Sequence, residues 1–140
     1  MIPKFLALDI VTPDRPMVHE QVDEVQLPGE DGALGILPGH APMLAALQPG
    51  ELWYRRGSDR QFLSISFGVA EVLPDRVTIL ATMAERTDEI DVSAAEAERR
   101  DAEEHLRHTA SLEDADRARV AMMAAIMRLR VAERARSRRA

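Results

Sequence analysis

The sequence predicts a β-sandwich of short antiparallel strands, followed by an antiparallel hairpin of two helices. From Phe5 to Ala81, apolar residues recur at about every second position in short segments, which is typical of half-buried strands. Turn-forming clusters such as Thr12–Pro16 and Arg56–Asp59 separate these segments. After Ala81 the alternation stops, and two later serines precede runs with helical spacing. The chain therefore divides into a sandwich over residues 1–86 and a connector with helices over residues 87–140.

The strand region is divided by its turn signals, and a repeated strand–helix–strand alternation is missing, which favours a sandwich or flattened barrel. Phe62, Ile65 and Phe67 interrupt the alternation, so we expect a bulge near Gly68. The candidate strands are Phe5–Thr12, Met17–Val22, Glu24–Leu27, Leu34–Leu37, Met43–Leu47, Glu51–Arg55, Gln61–Ser66, Val69–Leu73 and Val77–Ala81.

The stretch from Gly29 to Gly50 is unusually rich in glycine and proline. Glycine tolerates positive φ, and proline fixes φ while removing a backbone donor. Such a stretch suits neither a helix nor one long strand. We expect an ordered loop of several turns that carries the apolar pieces Leu34–Leu37 and Met43–Leu47.

The helical region has two start signals. Ser93 and Glu96 form a potential capping box, which predicts a helix from Ser93 to about His108. Ser111 precedes two acidic residues, which predicts a second helix from Leu112 to about Arg136. The short link implies an antiparallel pair. The expected packing positions are Ala95, Ala102 and Leu106 on the first helix and Ala115, Ala118, Met122, Ile126 and Leu129 on the second.

These helix faces are dominated by alanine and therefore bury little apolar area. We expect weak docking on the sandwich, and the sequence leaves open whether the hairpin stays packed or undocks. Thr82–Asp91, between the two parts, is polar and is expected to act as a connector.

Composition limits the classes of function. The 140 residues contain no cysteine, which excludes disulfides and thiolate metal sites. No apolar run approaches the roughly 20 residues that span a bilayer, so we expect membrane association only through a partner. Residues 117–140 hold eight arginines and one glutamate, whereas residues 87–116 carry a net charge of −8. The basic end predicts an acidic partner.

The motif Gly-Ile-Leu-Pro-Gly-His-Ala-Pro over residues 35–42, with Pro49-Gly50 beyond it, resembles the epsilon subunits of bacterial rotary ATP synthases, called delta in mitochondria. The segments at 8–13, 66–72, 77–81, 103–106 and 128–133 also match, so the resemblance covers nearly the whole chain. It implies a sandwich of about ten strands and a two-helix domain. It also implies a non-catalytic rotor subunit, peripheral at the cytoplasmic face of the bacterial plasma membrane, that supports proton-driven ATP synthesis.

The resemblance further implies three contact regions. One meets the polar loops of the membrane c-ring and consists of Glu30, Asp31, Gly32, Ala33 and Leu34. One meets the gamma subunit and consists of His40, Pro42, Met43 and Ala45. The third meets the alpha and beta subunits when the hairpin is extended and inhibits ATP hydrolysis; it consists of Met122, Ile126, Arg128, Leu129, Arg130 and Arg134, with Arg136, Arg138 and Arg139 beyond them.

Some relatives bind regulatory ATP through an Ile/Leu-Asp-x-x-Arg-Ala motif. Here Asp91 is kept, but Ala94 replaces the arginine and cannot form a planar fork with phosphate. Arg99, Arg128 and Arg130 are the remaining candidates, and we expect neither tight ATP binding nor another cofactor.

His105 and His108 lack enough neighbouring ligands, so we expect no metal there. His40 has no partner for nucleophilic catalysis, and we interpret it as a loop-shaping residue; we expect no catalytic residue. Two rival functions remain open: an ATP sensor that closes its hairpin, and a nucleic-acid adaptor that uses the arginines. The acidic remainder of the chain argues against nucleic acid.

Overall fold

The structure is a computed structural model that describes residues 1–139, with the side chains described through residue 135. It contains eight strands, a 3-10 turn at Thr87–Glu89 and two helices. The strands are β1 (Leu6–Val11), β2 (Pro16–Val22), β3 (Glu24–Gly29), β4 (Gly32–Ile36), β5 (Met43–Leu47), β6 (Gly50–Arg56), β7 (Asp59–Leu73) and β8 (Arg76–Arg86). The helices are α1 (Val92–His108) and α2 (Leu112–Arg139).

The strands form one hydrogen-bonded network that folds over itself into a sandwich. Their order is β2-β1-β8-β7-β5-β3-β4, and β6 pairs with both β3 and β7. The sandwich is confirmed, but the described residues contain eight strands rather than about ten. The prediction that all strands are antiparallel is also wrong, because β1 and β8 are parallel neighbours.

Two sequence-based boundaries were wrong for one reason: backbone pairing continues where side-chain alternation is lost. The segments Gln61–Ser66 and Val69–Leu73 belong to the single 15-residue strand β7. The last strand, predicted to end at Ala81, continues to Arg86, which lies opposite Leu63. The first five residues of the expected polar connector are therefore part of β8.

The strand β7 belongs to both layers of the sandwich. Its first half pairs with β6, its second half with β5, and its register with β8 is unbroken from Leu63 to Leu73. The bulge expected near Gly68 is therefore absent. The backbones of β7 and β8 instead approach each other closely at Gly68. A Cβ atom on Gly68 would lie 2.2 Å from the Leu80 carbonyl oxygen.

The core lies between the two layers and is built from strand residues alone. Tyr54 is buried in it, and burial raises the pKa of its phenol. The largest fully buried aliphatic side chains are Leu6, Leu8, Ile10, Leu27, Ile36, Leu52, Leu63, Ile65 and Ile79. The sandwich thus has its own hydrophobic core, independent of the helices.

The start of α1 differs from the prediction, whereas the start of α2 does not. The N-cap of α1 is Asp91, whose carboxylate accepts a hydrogen bond of 3.0 Å from the Ala94 amide. The Ser93 capping box is therefore wrong, because the extended backbone of Asp91 lets the helix begin one residue before Ser93. The second start is confirmed: the Ser111 hydroxyl accepts from the Asp114 amide at 3.3 Å. Ala95, Ala102 and Ala118 are buried as expected.

We predict that Gly68→Ala destabilises the sandwich by about 1–3 kcal/mol, because the added methyl group must displace the β8 backbone. Gly35→Ala is the matched control, since a Cβ there meets nothing within 4 Å. Denaturant unfolding measures both free energies. A Gly68→Ala protein as stable as the control would contradict the close approach of β7 and β8.

Candidate interaction surfaces

The hairpin lies against the sandwich through a small apolar cluster. Val131 of α2 is fully buried, and Ala132 and Ile90 are 8% exposed. Phe62 of β7 and Val92 pack against them. The cluster joins the end of α2, the connector and one sandwich layer, so the hairpin is docked in this structure.

Arg128 is the central ionic contact of the docked hairpin. Its Nε and Nη2 donate to the two oxygens of Glu85 on β8 at 2.7 and 3.1 Å, and its Nη1 donates to Glu98 on α1 at 3.0 Å. The side chain is only 12% exposed. The hydrogen bonds to Glu85, more than any other cause, raise the pKa of the Arg128 guanidinium. One side chain therefore ties β8, α1 and α2 together.

Arg134 makes a second contact near the end of α2. Its Nε and Nη2 donate to the Glu51 carboxylate on β6 at 2.9 and 3.0 Å, which raises the pKa of the guanidinium. The guanidinium also stacks over the Phe62 ring, 4.8 Å from its centroid. Paired parallel hydrogen bonds of this kind are stronger and more specific than single ones.

The predicted inhibitory residues divide by position. Arg128 and Arg134 face the sandwich, Met122 and Leu129 are half-buried, and Arg130 is exposed. Ile126 is 37% exposed, which corrects its expected place on the packed face of α2. The side chains of Arg136, Arg138 and Arg139 lie outside the described residues.

One outer face of the sandwich carries a row of exposed apolar side chains. Val11 lies opposite Leu80, Leu80 opposite Val69, and Val69 opposite Ala46, so the row crosses four strands. Leu80 is 58% exposed and Val69 is 47% exposed. Leu44 and Phe67 lie beside the row and are also exposed. We call these six residues the apolar face.

The apolar face continues toward the hairpin. A groove of about 350 Å³ lies between the sheet and α2. Ala46 and Phe67 line it from the sheet, and Val120 and Met123 line it from α2. Val120 and Met123 are each 40% exposed. A run of apolar surface this long, contributed by four strands and α2, is typical of a protein interaction site.

The predicted gamma-contact residues are not members of the apolar face, although Met43 and Ala45 lie on β5, the strand of Leu44 and Ala46. Ala45 is buried in the core, which corrects the expected contact, because its neighbours Leu44 and Ala46 occupy the outward positions of β5. Met43 is half-buried and Pro42 is exposed. His40 has its Nδ1 atom 2.7 Å from the Ala41 carbonyl oxygen, within the loop it was expected to shape.

The predicted c-ring segment is the turn between β3 and β4. Gly29 pairs with Gly32, so Glu30 and Asp31 form the loop, and Gly32 takes a φ of +129°. The segment 30–33 is exposed, and Leu34 is half-buried against the core. The Glu30 amide donates to the Ala46 carbonyl at 2.9 Å, which anchors this acidic tip beside β5.

The ATP candidates lie at or on the two helices, and two of them already have partners within the chain. Asp91 caps α1, and three nitrogens of Arg128 are engaged by carboxylates. Arg99 is half-buried and Arg130 is exposed, and neither takes part in an ion pair within the described part of the chain.

The remaining site hypotheses concern metals and membranes. His108 has its Nε2 atom 2.8 Å from Glu104, a contact along one face of α1. Among residues 1–139, no group of three or more potential ligands is arranged to hold a metal ion. Neither described helix is sufficiently long and apolar to cross a bilayer.

Comparison with known proteins decides the family. Residues 5–87 match the "ATP synthase, Delta/Epsilon chain, beta-sandwich domain", and residues 88–133 match the "ATP synthase, Delta/Epsilon chain, long alpha-helix domain". The chain belongs to the ATP synthase delta/epsilon family. The resemblance found in the sequence is thereby confirmed, and with it the expectation of a non-catalytic subunit.

Individual delta/epsilon relatives align over almost their full length. The ATP synthase epsilon chain of Herpetosiphon aurantiacus is 48% identical over 133 residues, 95% of this chain and 98% of the relative. The epsilon chain of Syntrophobacter fumaroxidans is 46% identical over 92% of this chain and 96% of the relative.

Solved structures share the same fold. A chain in the Euglena gracilis mitochondrial ATP synthase assembly of OSCP, F1 and c-ring superposes with a TM-score of 0.80 at 22% identity, covering 90% of this chain and 80% of that one. A chain in the Tetrahymena thermophila central stalk and c-ring superposes at 0.66 and 15% identity, covering 93% and 99%.

Sequence reasoning missed several residues of these delta/epsilon surfaces. The partners Glu51, Glu85 and Glu98 lie far from the arginines in sequence and carry no local motif. The apolar face had a usable signal, since Val69 and Leu80 occupy the outward positions of apolar strands. That signal indicates a continuous apolar surface only when the pairing of β7 with β8 is known.

We predict that Arg128→Gln loosens the docked hairpin and increases amide hydrogen exchange in α2 by about tenfold, because a charge-assisted hydrogen bond contributes roughly 1.5–3 kcal/mol. Arg130→Gln is the matched control, since Arg130 is exposed two residues away. Exchange monitored by mass spectrometry measures both. Equal exchange in the two variants would contradict the role of Arg128 in docking.

Proposed function

We propose that this chain is the epsilon-type subunit of the rotor's central stalk in a proton-translocating ATP synthase, held at the cytoplasmic face of a bacterial plasma membrane. Its sandwich couples the gamma subunit to the c-ring, and its hairpin inhibits ATP hydrolysis when released. The observation that carries this proposal is the apolar face, which gives a subunit without catalytic groups a surface for a protein partner. The named epsilon-chain relatives and the assemblies that contain the structural neighbours support it.

The apolar face is the surface proposed for the gamma subunit. Its side chains stand on four paired strands, so they form a rigid patch rather than a flexible loop. Burying large apolar side chains stabilises an interface by roughly 25 cal/mol per Å² of area removed from water. Pro42 and His40 extend the contact from the loop before β5.

The acidic tip is proposed to contact the c-ring. Glu30 and Asp31 place two carboxylates at the end of a hairpin turn, where basic groups on polar loops approach without displacing the core. Ala33 adds no charge, so these two residues carry the electrostatic part of the contact. The anchoring of Glu30 to β5 holds the tip beside the apolar face.

The hairpin is proposed to act as a conditional brake. In the docked state it is held by a small apolar cluster and two arginine contacts. These few interactions contrast with the continuous core of the sandwich, so release of the hairpin requires much less free energy than unfolding the sandwich. When released, the arginines and the stripe of Met122, Ile126 and Leu129 meet the alpha and beta subunits and obstruct hydrolytic rotation.

An ATP-sensing function is not favoured. The Ala94 side chain has no donor for phosphate, and Arg128 already binds two carboxylates. A nucleic-acid function is disfavoured for a related reason, because Arg128 and Arg134 are neutralised by glutamates rather than presented on an open basic surface.

We predict that Val69→Asp and Leu80→Asp each weaken binding to the gamma subunit at least tenfold, because each buries an unpaired carboxylate in the interface. Leu112→Asp is the control: it makes the same chemical change at an 82% exposed position at the start of α2. Calorimetric titration with gamma measures the affinities. Unchanged binding by both sheet variants would reject the apolar face as the gamma surface.

We predict that removing residues 87–140 raises ATP hydrolysis by the assembled enzyme, because the deletion removes the proposed brake. Assembly persists because the sandwich keeps its complete core. The full-length chain reconstituted in parallel is the control. Hydrolysis rates at equal amounts of assembled enzyme test the brake. An unchanged rate would reject the brake but leave the stalk function standing.

A further inference from the structure

Two of the arginines that are proposed to contact the alpha and beta subunits also hold the hairpin against the sandwich. We propose that Arg128 and Arg134 exchange partners: they bind sandwich glutamates in the docked state and carboxylates of a neighbouring subunit in the released state. The two sets of contacts therefore exclude one another. This inference rests on the proposed brake and adds what sets its balance.

Arg128 is already engaged by two carboxylates while it is docked. A guanidinium has five N–H donors in a fixed planar fork. Three of its nitrogens already donate to Glu85 and Glu98, and only 12% of the side chain is exposed. A carboxylate from another subunit can reach this group only after α2 moves away from β8.

Arg134 is more accessible but is also committed. The edge of its guanidinium that carries Nε and Nη2 faces Glu51, and its flat face covers the Phe62 ring. Its side chain is 46% exposed, compared with 12% for Arg128. Because Arg134 is nearer the end of α2 and less buried, we expect this contact to open before the Arg128 contact.

In the proposed exchange, one carboxylate partner of each arginine is replaced by another. On release, the sandwich glutamates lose their cationic partner, and the arginines regain an equivalent carboxylate partner elsewhere. Release breaks the charge-assisted hydrogen bonds that Glu51 and Glu85 accept from the arginines, and this loss disfavours release. Neutralising them removes that penalty while the arginines stay available. The glutamates therefore act as competitors of the outside partner.

This competition predicts opposite effects for the two halves of one ion pair. Glu85→Gln and Glu51→Gln weaken the docked state only, so inhibition becomes stronger. Adding Arg128→Gln to Glu85→Gln, or Arg134→Gln to Glu51→Gln, also removes the outside contact, so inhibition is reversed. A purely structural ion pair would give the same effect whichever partner is removed.

The experiment measures ATP hydrolysis by the assembled enzyme carrying each full-length variant. We expect several-fold slower hydrolysis with Glu85→Gln and Glu51→Gln than with the original chain, and recovery in each double variant. Glu96→Gln, an exposed glutamate on α1 that takes part in no ion pair within the described residues, is the matched control with unchanged hydrolysis. Thermal unfolding of each isolated variant verifies that the sandwich remains folded.

The charge-reversed pair Glu51→Arg with Arg134→Glu is a second, independent test. It restores attraction between β6 and α2 but places an acidic group on the released arm, so we expect hydrolysis at least as fast as with the original chain. Unchanged or faster hydrolysis with both single glutamate variants, while the 87–140 deletion accelerates the enzyme, would overturn partner exchange and leave the brake intact. If the deletion does not change ATP hydrolysis, both the brake and the partner exchange are rejected.

Discussion

The pairing of Arg128 with Glu85 and Glu98 is the interaction on which the docked arrangement depends. It is the point at which β8, α1 and α2 meet through one side chain. A guanidinium that is only 12% exposed must keep carboxylate partners, because an unpaired charge there is costly. The late part of β8 is therefore more than a connector: it carries Glu85 to the position where the hairpin can be held.

The molecule combines two parts held together by interactions of different kinds. The sandwich is stabilised by a continuous core of fully buried aliphatic side chains. Among the described residues, the hairpin contributes Val92, Val131 and Ala132 to the small cluster that it shares with Ile90 of the connector and Phe62. Apolar burial is not weakened by ionic screening, whereas partly exposed ion pairs weaken as ionic strength rises. The contact between the two parts can thus respond to charge in the surroundings while the sandwich remains intact.

Local patterns were sufficient to predict the architecture. The period-two segments identified the sandwich, and Ser111 identified the start of α2. Local patterns failed where long-range pairing decides the structure. Nothing near Thr82 or Glu85 indicates a strand until β7 is alongside, and the parallel pairing of β1 with β8 has no signature in either segment.

The candidate surfaces were predictable to different extents. The acidic tip was singled out by the family resemblance, and the structure shows it as the turn where Gly29 pairs with Gly32. Ala45, predicted to contact gamma, is buried because β5 exposes alternate residues, and motif resemblance alone does not specify the face. The Arg134–Glu51 contact joins residues 83 positions apart, so only the folded chain reveals it.

The central claim is that the docked hairpin leaves the sandwich reversibly in the working enzyme. Because the chain has no cysteine, spin labels can be attached specifically at introduced Ser58→Cys and Glu133→Cys, one on the β6–β7 turn and one on α2. Pulsed electron resonance then measures the distance between them. We expect one short distance in the isolated chain and an additional, much longer one in the assembled enzyme under hydrolysis conditions. A single short distance in every state would contradict the claim.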